Sequence, residues 1–401
     1  MKKNNLLIIA IIIAAALVLR LINLAYPNWQ IFDEIYYYNF ANDYLHHTYF
    51  FDVHPALGKL FITLGLLIFK GTLFGARFFT AISGTLILLF TYVLALKLFK
   101  NKIAALFALI IMFAETSLFV ESRFALINIY IVLFALPAYI FFWQWRESGK
   151  NYFLYLSLIF ISLSTSVKWT GLFNLMALFI FTLIDNKTRN YLFNLLKENY
   201  LKYLFIIFCC LSLPYLLFFI PEMLKGEHFF KWHTEAYLFH KNLTAGHPYA
   251  SKWYQWFLDA RPVWLEFRET VQGNIIGIIE LGNPIILWLG LISIFSNIYF
   301  AIYYKNKALI LLLLAIILNT LPWIDIKRVS FYYHFIPILP FIILSLSYSL
   351  YILWSKYKLK LLVITILILM ITFFVWYWPL LNGIPISYKG YLNRIFFPGW
   401  I

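Results

Sequence analysis

The sequence predicts an all-α polytopic membrane protein with about eleven transmembrane helices. Of its 401 residues, 63% are hydrophobic and only 12% are charged. Apolar runs near 20 residues recur along the chain. A helix that rises about 1.5 Å per residue needs roughly 20 residues to cross about 30 Å of hydrocarbon. The length therefore sets a number of spans rather than a number of globular domains.

Eleven apolar runs qualify as spans. The first follows Met1-Lys2-Lys3 and shows no clear cleavage site before Arg20, so we predict that it is retained and not removed as a signal peptide. The third to sixth runs are short and closely spaced. The predicted spans are 6–25, 77–97, 103–120, 124–143, 152–167, 171–185, 201–220, 275–303, 308–323, 331–354 and 361–379.

The charge distribution predicts the orientation of these spans. A net charge of +15 could indicate nucleic-acid binding, but many of the charges lie in short loops between spans. With the N-terminus in the cytoplasm, the inner segments hold sixteen basic residues and three acidic ones. A cytoplasmic excess of cations is the usual topology signal. We therefore predict the lipid bilayer as a partner and no nucleic acid, with the tail 380–401 outside.

The segment Ala56–Phe74 has two interpretations. It is apolar, but it contains Gly58, Lys59, Gly65 and Lys70. We predict a helix that lies along the membrane surface. A further span is the alternative, and it would invert the orientation of everything after it.

A pair of carboxylates, Asp33 and Glu34, follows the first span. One interpretation is a solvated pair at the start of an interfacial helix near Ile35. The other is a general base with a neighbouring carboxylate that binds substrate. A base for an alcohol must approach the hydroxyl to about 3 Å and stay ionised, and a partly hydrated membrane face permits both conditions.

Two further polar residues follow in the same outer segment. His54 precedes a proline and lies five residues before Lys59. A histidine in this setting often orients a loop, and the nearby Asp-Glu pair makes a role in substrate binding the alternative. Lys59 either faces an anionic headgroup or extends along the apolar surface to reach water.

Cations lie at three predicted outer helix ends. Arg123 lies at the outer end of the fourth span, Lys168 follows the fifth, and Arg328 lies shortly before His334. Each of these cations either reaches for the interface or binds a phosphate, for which the guanidinium geometry is well suited.

The cations and carboxylates together suggest one kind of chemistry. The sequence contains no HExxH, no CxxC and no glycine-rich phosphate loop. We therefore predict no metal site from motifs, although a divalent metal is left open as a cofactor. The pattern suits a lipid-linked phosphate as donor and a carboxylate-activated hydroxyl as acceptor.

At these residues the chain resembles the protein O-mannosyltransferases, polytopic glycosyltransferases of the GT-C type. The resemblance runs in order over most of the chain, and several independent motifs carry it. They are FDEIYY (32–37), TYFFDVHPALGKL (48–60), ESRFALIN (121–128), SVKWTGLF (166–173), HPYASKWYQW (247–256), RPVWLEF (261–267), IELGNPIILW (279–288), KRVSFYYHFIPILPF (327–341), LLNGIPIS (380–387) and FFPGWI (396–401).

The chain departs from the family pattern in two places. Asn128 stands where the family usually has Asp, so no carboxylate role is carried over to that position. The segment 221–274 contains no sign of the soluble β-trefoil insert of eukaryotic members, which fits a bacterial-type enzyme.

The resemblance implies a specific reaction. Mannose would pass from a polyprenyl-phosphate-linked donor to Ser or Thr hydroxyls of secreted or membrane proteins, with inversion at the anomeric carbon. Asp33 would be the base on the acceptor hydroxyl. Glu34, the second catalytic carboxylate, would position sugar or acceptor together with His54. The predicted substrate-binding residues are His54, Lys59, Arg123, Lys168, Arg328 and His334.

The same resemblance implies a location and a division of the chain. The active site would lie on the extracytoplasmic face of the plasma (inner) membrane. Residues 1–220 would form an N-terminal transmembrane catalytic region that includes the first outer loop. Residues 221–274 would form the second outer loop, and 275–401 a C-terminal four-helix transmembrane region with an outer tail.

Two other functions are alternatives for this sequence. A GT-C enzyme that moves another lipid-linked sugar to a lipid or a glycan would keep much of this pattern. A transporter or flippase would place charges near the bilayer midplane and interrupt its helices there. Here the charges gather at helix ends, which disfavours a transporter.

Overall fold

The fold is almost entirely helical. The computed structural model describes residues 3–401, with side chains from Leu6 onward. The helices are α1 (Lys3–Leu21), α2 (Glu34–His46), α3 (Leu57–Ile68), α4 (Leu73–Phe99), α5 (Lys102–Phe113), α6 (Thr116–Glu121), α7 (Asn128–Ser148), α8 (Asn151–Thr165), α9 (Leu172–Ile184), α10 (Asn186–Glu198), α11 (Tyr200–Leu224), α12 (Phe229–Asn242), α13 (Trp253–Phe257), α14 (Pro284–Tyr303), α15 (Lys307–Thr320), α16 (Leu339–Ser355), α17 (Lys360–Asn382) and α18 (Tyr388–Leu392).

Asn and Asp side chains begin many of these helices. Asn101, Asp185, Asn199, Asn283 and Asn306 each accept a hydrogen bond from a backbone N–H in the first turn of the helix that follows. Such caps satisfy donors that have no partner within the helix. Several of these caps lie in the short polar loops that the sequence assigns to the cytoplasmic side.

Within residues 3–401, five helices are long and apolar enough to cross a membrane: α4, α7, α11, α14 and α17. A sixth span results if α9 and α10, bent by 94°, are counted as one. The five remaining predicted spans coincide with apolar helices of 10–17 residues. The membrane-protein fold class is confirmed, whereas the number eleven stays a prediction.

The predicted span 103–120 is interrupted. α5 ends at Phe113, and the buried carboxylate of Glu115 caps the short helix α6 by accepting from the backbone N–H of Leu118 at 2.6 Å. A buried carboxylate can end one helix and begin the next because it replaces the missing backbone partners.

Ala56–Phe74 contains the 12-residue helix α3, about 18 Å long at 1.5 Å per residue.

A small antiparallel sheet was not predicted. β1 (Val263–Glu269) pairs with β2 (Asn274–Glu280), and β2 pairs with β3 (Ile386–Ser387). The predicted span 275–303 is therefore wrong at its start, because its first residues form β2 and the helix begins at Pro284. Continuous apolar runs such as Ile275–Ile279 are typical of buried strands as well as of helices. The predicted span 331–354 is likewise shorter, since α16 begins at Leu339.

The core lies between α4, α5, α7, α15 and α16, where large aromatic side chains such as Tyr139 and Trp145 are fully buried. The first outer segment, with α2 and α3, packs beside α4. Several breaks in the helices meet the same face: the loop before α2, residues 122–127, the end of α8 and residues 321–335. Most of the predicted site residues lie on or beside these breaks, whereas His54 and Lys59 belong to the loop before α3 and to its first turn.

Candidate active site

Asp33 presents its carboxylate at the start of α2. It precedes the helix, yet its side chain makes no capping hydrogen bond and no ion pair with the residues that the structure describes. Burial raises the pKa of Asp33 above its usual range, while the nearby Lys168 and His247 act in the opposite direction. A carboxylate in this state is an acceptor without a donor, which is what a general base needs.

The backbone just before Asp33 is strained. Phe32 has φ = 45°, in the left-handed region that a bulky residue rarely adopts. Its ring packs edge-on against Tyr333 and His247, with centroids 6.3 and 6.4 Å away. These contacts hold a conformation that costs about 1–2 kcal/mol. The contacts of the Phe32 ring therefore fix the direction in which the Asp33 side chain projects from the backbone.

Glu34 faces the opposite way and is completely buried. Both of its oxygens receive a hydrogen bond from Arg77 at 2.7 Å. The backbone N–H groups of Ile31 and Ala125 donate to the same carboxylate. Both oxygens are therefore occupied by protein donors, and the structure leaves neither available to a substrate.

Arg123, predicted as a phosphate ligand, contacts the end of the first helix. Its guanidinium donates to the carbonyls of Leu19, Arg20, Ile22 and Asn23 at 2.9–3.2 Å. The last carbonyls of a helix lack partners and carry partial negative charge, so a cation there is stabilising. This placement turns Arg123 toward α1 instead of toward the Asp33 carboxylate.

Lys59 also lies inside the protein and does not face a headgroup. Its ammonium is 2.7 Å from Asp52, donates to the carbonyl of His54 at 2.8 Å and lies 3.5 Å from Glu222 of α11. Lys225 pairs with the same Glu222 at 2.6 Å. This buried ion cluster connects the loop before α3 to the C-terminal end of α11.

The loop held by Lys59 carries His54. The imidazole of His54 stacks on that of His240 from α12, with centroids 5.6 Å apart. Burial lowers the pKa of both histidines, that of His240 to about 4, and the positive charges of Lys168 and Arg328 act in the same direction. Both rings are therefore neutral at physiological pH and can donate or accept hydrogen bonds.

Lys168 and Arg328 are the predicted cations whose charges act on this region, Lys168 on both Asp33 and His54 and Arg328 on His54. Lys168 donates to Asn128 at 2.7 Å, and Asn128 donates in turn to Glu121 at 2.8 Å. Burial lowers the pKa of Lys168 to about 8. Arg328 makes no ion pair and no hydrogen bond with any residue in the part of the chain that is described. Its guanidinium remains available to an anion.

His334 is held between aromatic rings. It lies 4.3 Å from the ring centroid of Trp323 and 6.1 Å from that of Trp256. Its Nδ1 contacts the backbone of Phe331 at 3.0–3.1 Å. These contacts fix the turn that carries Tyr333, whose ring faces the ammonium of Lys168 at 5.6 Å.

The structure thus separates the predicted residues into two groups. Asp33, His54, Lys168 and Arg328 converge on one partly open region, whereas Glu34, Lys59, Arg123 and His334 hold the surrounding backbone. Sequence reasoning missed Arg77, although an arginine inside an apolar helix is itself a signal of a specific partner. It also missed His240, for which the sequence offers no signal.

Within residues 3–401, no three His, Cys, Asp or Glu side chains converge as metal ligands. The residues around Asp33 therefore offer no preformed set of ligands for a divalent metal. Chemically, the region can accept a proton at Asp33 and balance negative charge at Lys168 and Arg328.

Comparison with known proteins gives consistent matches. The family model of dolichyl-phosphate-mannose-protein mannosyltransferase matches residues 10–71 and 65–230, and that of the C-terminal four-transmembrane region of protein O-mannosyltransferase matches 225–400. A polyprenol-phosphate-mannose–protein mannosyltransferase of Mycolicibacterium smegmatis is 24% identical over 98% of this chain and 92% of its own length. One from Corynebacterium glutamicum is 24% identical over 87% and 81%.

Solved structures share the fold. A chain of the Saccharomyces cerevisiae protein O-mannosyltransferase Pmt1-Pmt2 complex bound to the sugar donor superposes with a TM-score of 0.86 and 16% identity, covering 100% of this chain and 93% of that one. ArnT from Cupriavidus metallidurans bound to undecaprenyl phosphate gives a TM-score of 0.62 and 13% identity, covering 88% and 63%. Both are GT-C enzymes.

Proposed function

Because the chain belongs to the dolichyl-phosphate-mannose-protein mannosyltransferase family, we propose that it transfers mannose from a polyprenyl-phosphate carrier to Ser or Thr hydroxyls of secreted or membrane proteins. The observation that carries this proposal is the Asp33 carboxylate, which has no hydrogen-bond or ion-pair partner among the described residues and lies close enough to Lys168 for their charges to act on each other. Transfer of a sugar from a phosphate to a hydroxyl needs a base for the hydroxyl and cations for the departing phosphate, and this region contains both.

The reaction follows from this arrangement. Asp33 takes the proton of the acceptor hydroxyl as that oxygen bonds to the anomeric carbon. The bond from this carbon to the phosphate oxygen breaks on the opposite face, which inverts the configuration. The electron pair leaves with the polyprenyl phosphate, which becomes a monoester with more negative charge. Lys168 and Arg328 stabilise that charge as it develops.

Neutral imidazoles can bind the sugar between the base Asp33 and the cations that bind the phosphate. The pKa of His54 is lowered, chiefly by desolvation, so its neutral imidazole can hydrogen-bond to sugar hydroxyls without competing with the cations for the phosphate. Lys59 positions His54 through the backbone carbonyl of that residue. We assign Lys59, Glu34, Arg123 and His334 to positioning, because each contacts backbone, aromatic rings or charged groups of the protein itself.

Arg123→Ala should reduce the stability of the enzyme and should not act selectively on the donor. The carbonyls of Leu19, Arg20, Ile22 and Asn23 lose the hydrogen bonds that Arg123 donates, which should cost roughly 1–3 kcal/mol. Arg123→Lys should retain only part of the stability that Arg123→Ala loses, because one ammonium cannot reproduce the hydrogen bonds of a planar guanidinium to four acceptors. Thermal unfolding in detergent, with KM for donor and acceptor, measures both effects. A rise in donor KM at unchanged stability would place Arg123 on the phosphate instead.

The site is proposed to face the extracytoplasmic side of the plasma membrane. The basic residues of the short loops support this orientation, since they gather on the opposite side. A single cysteine in the tail, introduced at Lys389, should react with a membrane-impermeant maleimide in intact cells after Cys209 and Cys210 are replaced by Ser. Labelling only after permeabilisation would overturn the orientation.

The function itself is tested with purified protein. Polyprenyl-phosphate carrying radiolabelled mannose and a Ser/Thr-rich peptide should yield labelled peptide whose label is released by alkaline β-elimination. A parallel reaction with the glucose-bearing carrier should be at least tenfold slower. Transfer of another sugar, or labelling of lipid without labelling of peptide, would contradict the proposal and favour a different GT-C transferase.

A further inference from the structure

Two buried glutamates lie close to each other near Asp33 and have no part in the reaction proposed above. Glu121 ends α6 and Glu280 ends β2, and these two elements pack together. Both side chains are completely buried, and their carboxyl groups lie within hydrogen-bonding reach of each other. Among the residues that the structure describes, one oxygen of Glu121 and both oxygens of Glu280 find no hydrogen-bond donor. Buried acceptors without a donor are costly, so two ionised carboxyls are not the stable state of this pair.

One proton between the two glutamates removes this cost. Like charges at such a distance disfavour ionisation of both groups, and burial raises the pKa of both carboxyls, that of Glu121 to about 7. Glu121 already accepts an N–H from Asn128 at 2.8 Å, which stabilises its anion, whereas Glu280 has no such donor. The proton is therefore more stable on Glu280. The O–H of Glu280 then donates to the remaining oxygen of Glu121.

Asn128 connects this pair to Lys168. The ammonium of Lys168 donates to Oδ1 of Asn128 at 2.7 Å, and Nδ2 of Asn128 donates to Glu121 at 2.8 Å. An ammonium can only donate and a carboxylate can only accept, so the amide between them has a single orientation. Within the described residues Lys168 makes no other hydrogen bond, and its further N–H groups remain available to a substrate. The anion of Glu121 and the amide dipole both favour the charged form of Lys168.

We propose that Glu280 is a carboxylic acid that donates its proton in a hydrogen bond to the Glu121 carboxylate, and that Glu121, acting through Asn128, keeps Lys168 charged and oriented toward the departing phosphate. Glu121, Glu280 and Asn128 are thus positioning residues. This inference rests on the proposed function for the role of Lys168. The protonation state has a direct consequence, because a neutral Glu280 can be replaced by its neutral isostere glutamine, whereas the anionic Glu121 cannot.

The pH dependence of kcat/KM for the donor tests the connection to Lys168, since this ratio reports ionisations of the free enzyme. Glu121→Gln removes an anion that favours the ammonium, so the alkaline limb should move to lower pH by about one unit. Glu280→Gln keeps a neutral N–H donor beside Glu121 and should leave the limb where the wild type has it. Lys168→Arg should show no alkaline limb, because a guanidinium stays charged throughout.

Other groups of the region stay the same in both variants. Those whose charges act on Lys168 or on the carboxyl pair are Asp33, Asp52, Glu115 and Arg328. Burial raises the pKa of the nearby tyrosines Tyr37, Tyr332 and Tyr333 and lowers that of the histidines His54, His240 and His334. These six rings are neutral near pH 7, so the contrast between Glu121→Gln and Glu280→Gln isolates the charge of the pair.

The outcomes are distinct. If Glu121→Gln fails to fold, Asn128→Leu breaks the same connection and should move the alkaline limb in the same direction. A limb that stays in place in whichever of these variants folds overturns the connection to Lys168. A limb that Glu121→Gln and Glu280→Gln displace equally overturns the protonation of Glu280. The matched control is Glu269→Gln on the exposed end of β1, which should leave the limb in place.

A second measurement does not depend on sugar transfer. The infrared difference spectrum between the wild type and Glu280→Gln should show the loss of one C=O stretch of a protonated carboxyl, and Glu269→Gln should show no loss. Binding of a polyprenyl phosphate without sugar should weaken at a lower pH in Glu121→Gln than in the wild type. If the wild type transfers no mannose but both results hold, the proposed function fails and the carboxyl pair stands. An unchanged carboxyl band in Glu280→Gln overturns the pair.

Discussion

Asp33→Asn is expected to lower kcat by about 10²–10⁴-fold while expression, membrane insertion and donor binding stay near those of the wild type. A serine hydroxyl is a poor nucleophile at neutral pH, and a positioned base contributes that factor. Asparagine keeps the size of the side chain but cannot take the proton. Asp33 makes no hydrogen bond or ion pair with described residues, so its replacement should not disturb the fold. Single-turnover transfer and donor binding measure the two effects separately.

The matched control is Asp43→Asn on α2, the helix that follows Asp33, and it should leave kcat within twofold of the wild type. Glu34 and Asp52 are the neighbouring carboxylates, but both are already paired with cations. If Asp33→Asn turned over at a near-native rate, Asp33 would be removed as the base, and Asp52 would be the next candidate because it retains slight exposure.

The pH dependence gives a second readout for Asp33. Burial raises its pKa, and the base must be ionised to act. The acid limb of kcat/KM should therefore lie at a higher pH than the usual value of about 3.9 for Asp. Activity should fall as the pH falls through this raised pKa. Residual activity in Asp33→Asn should not show that limb.

Glu34→Gln is expected to destabilise the protein strongly. Removing the charge of Glu34 leaves Arg77 buried without its counter-ion, and breaking such a pair typically costs about 3–5 kcal/mol. Arg77 also donates to the carbonyls of Leu24, Pro27 and Trp29, so the loop before α2 should loosen with it. Loss of folded protein in detergent, measured by thermal unfolding and gel filtration, should accompany any loss of activity.

The double variant Glu34→Gln with Arg77→Met should recover part of the lost stability, because no uncompensated charge remains. Glu235→Gln serves as the control, since the pair Lys231–Glu235 is exposed and such pairs contribute little. Normal stability of Glu34→Gln together with a raised KM would return Glu34 to the substrate-binding group that its position beside Asp33 first suggested.

The roles of neighbouring residues could not be read from their order in the chain. Asp33 and Glu34 are adjacent at the start of α2, yet their side chains project in different directions. The side chain of Asp33 points toward the partly open region, and that of Glu34 points into the core. Lys59 and Arg123 looked like ligands because cations near a membrane face are costly. In the structure, a buried carboxylate offsets the cost of burying the Lys59 ammonium. Carbonyls at a helix end do the same for the Arg123 guanidinium.

The sequence by itself determined the membrane class and the family, and it named Asp33, Lys168 and Arg328 among eight candidate site residues. Composition and motif order carry this information because apolar runs and family motifs are local in the chain. Only the tertiary structure decided which charges face each other. Glu34 meets Arg77 from another helix, Lys59 meets Glu222 from α11, and the sheet joins residues 263–280 to the tail. Such pairings depend on distances between segments that are far apart in sequence, and a buried charge is stable only where folding brings a partner to it.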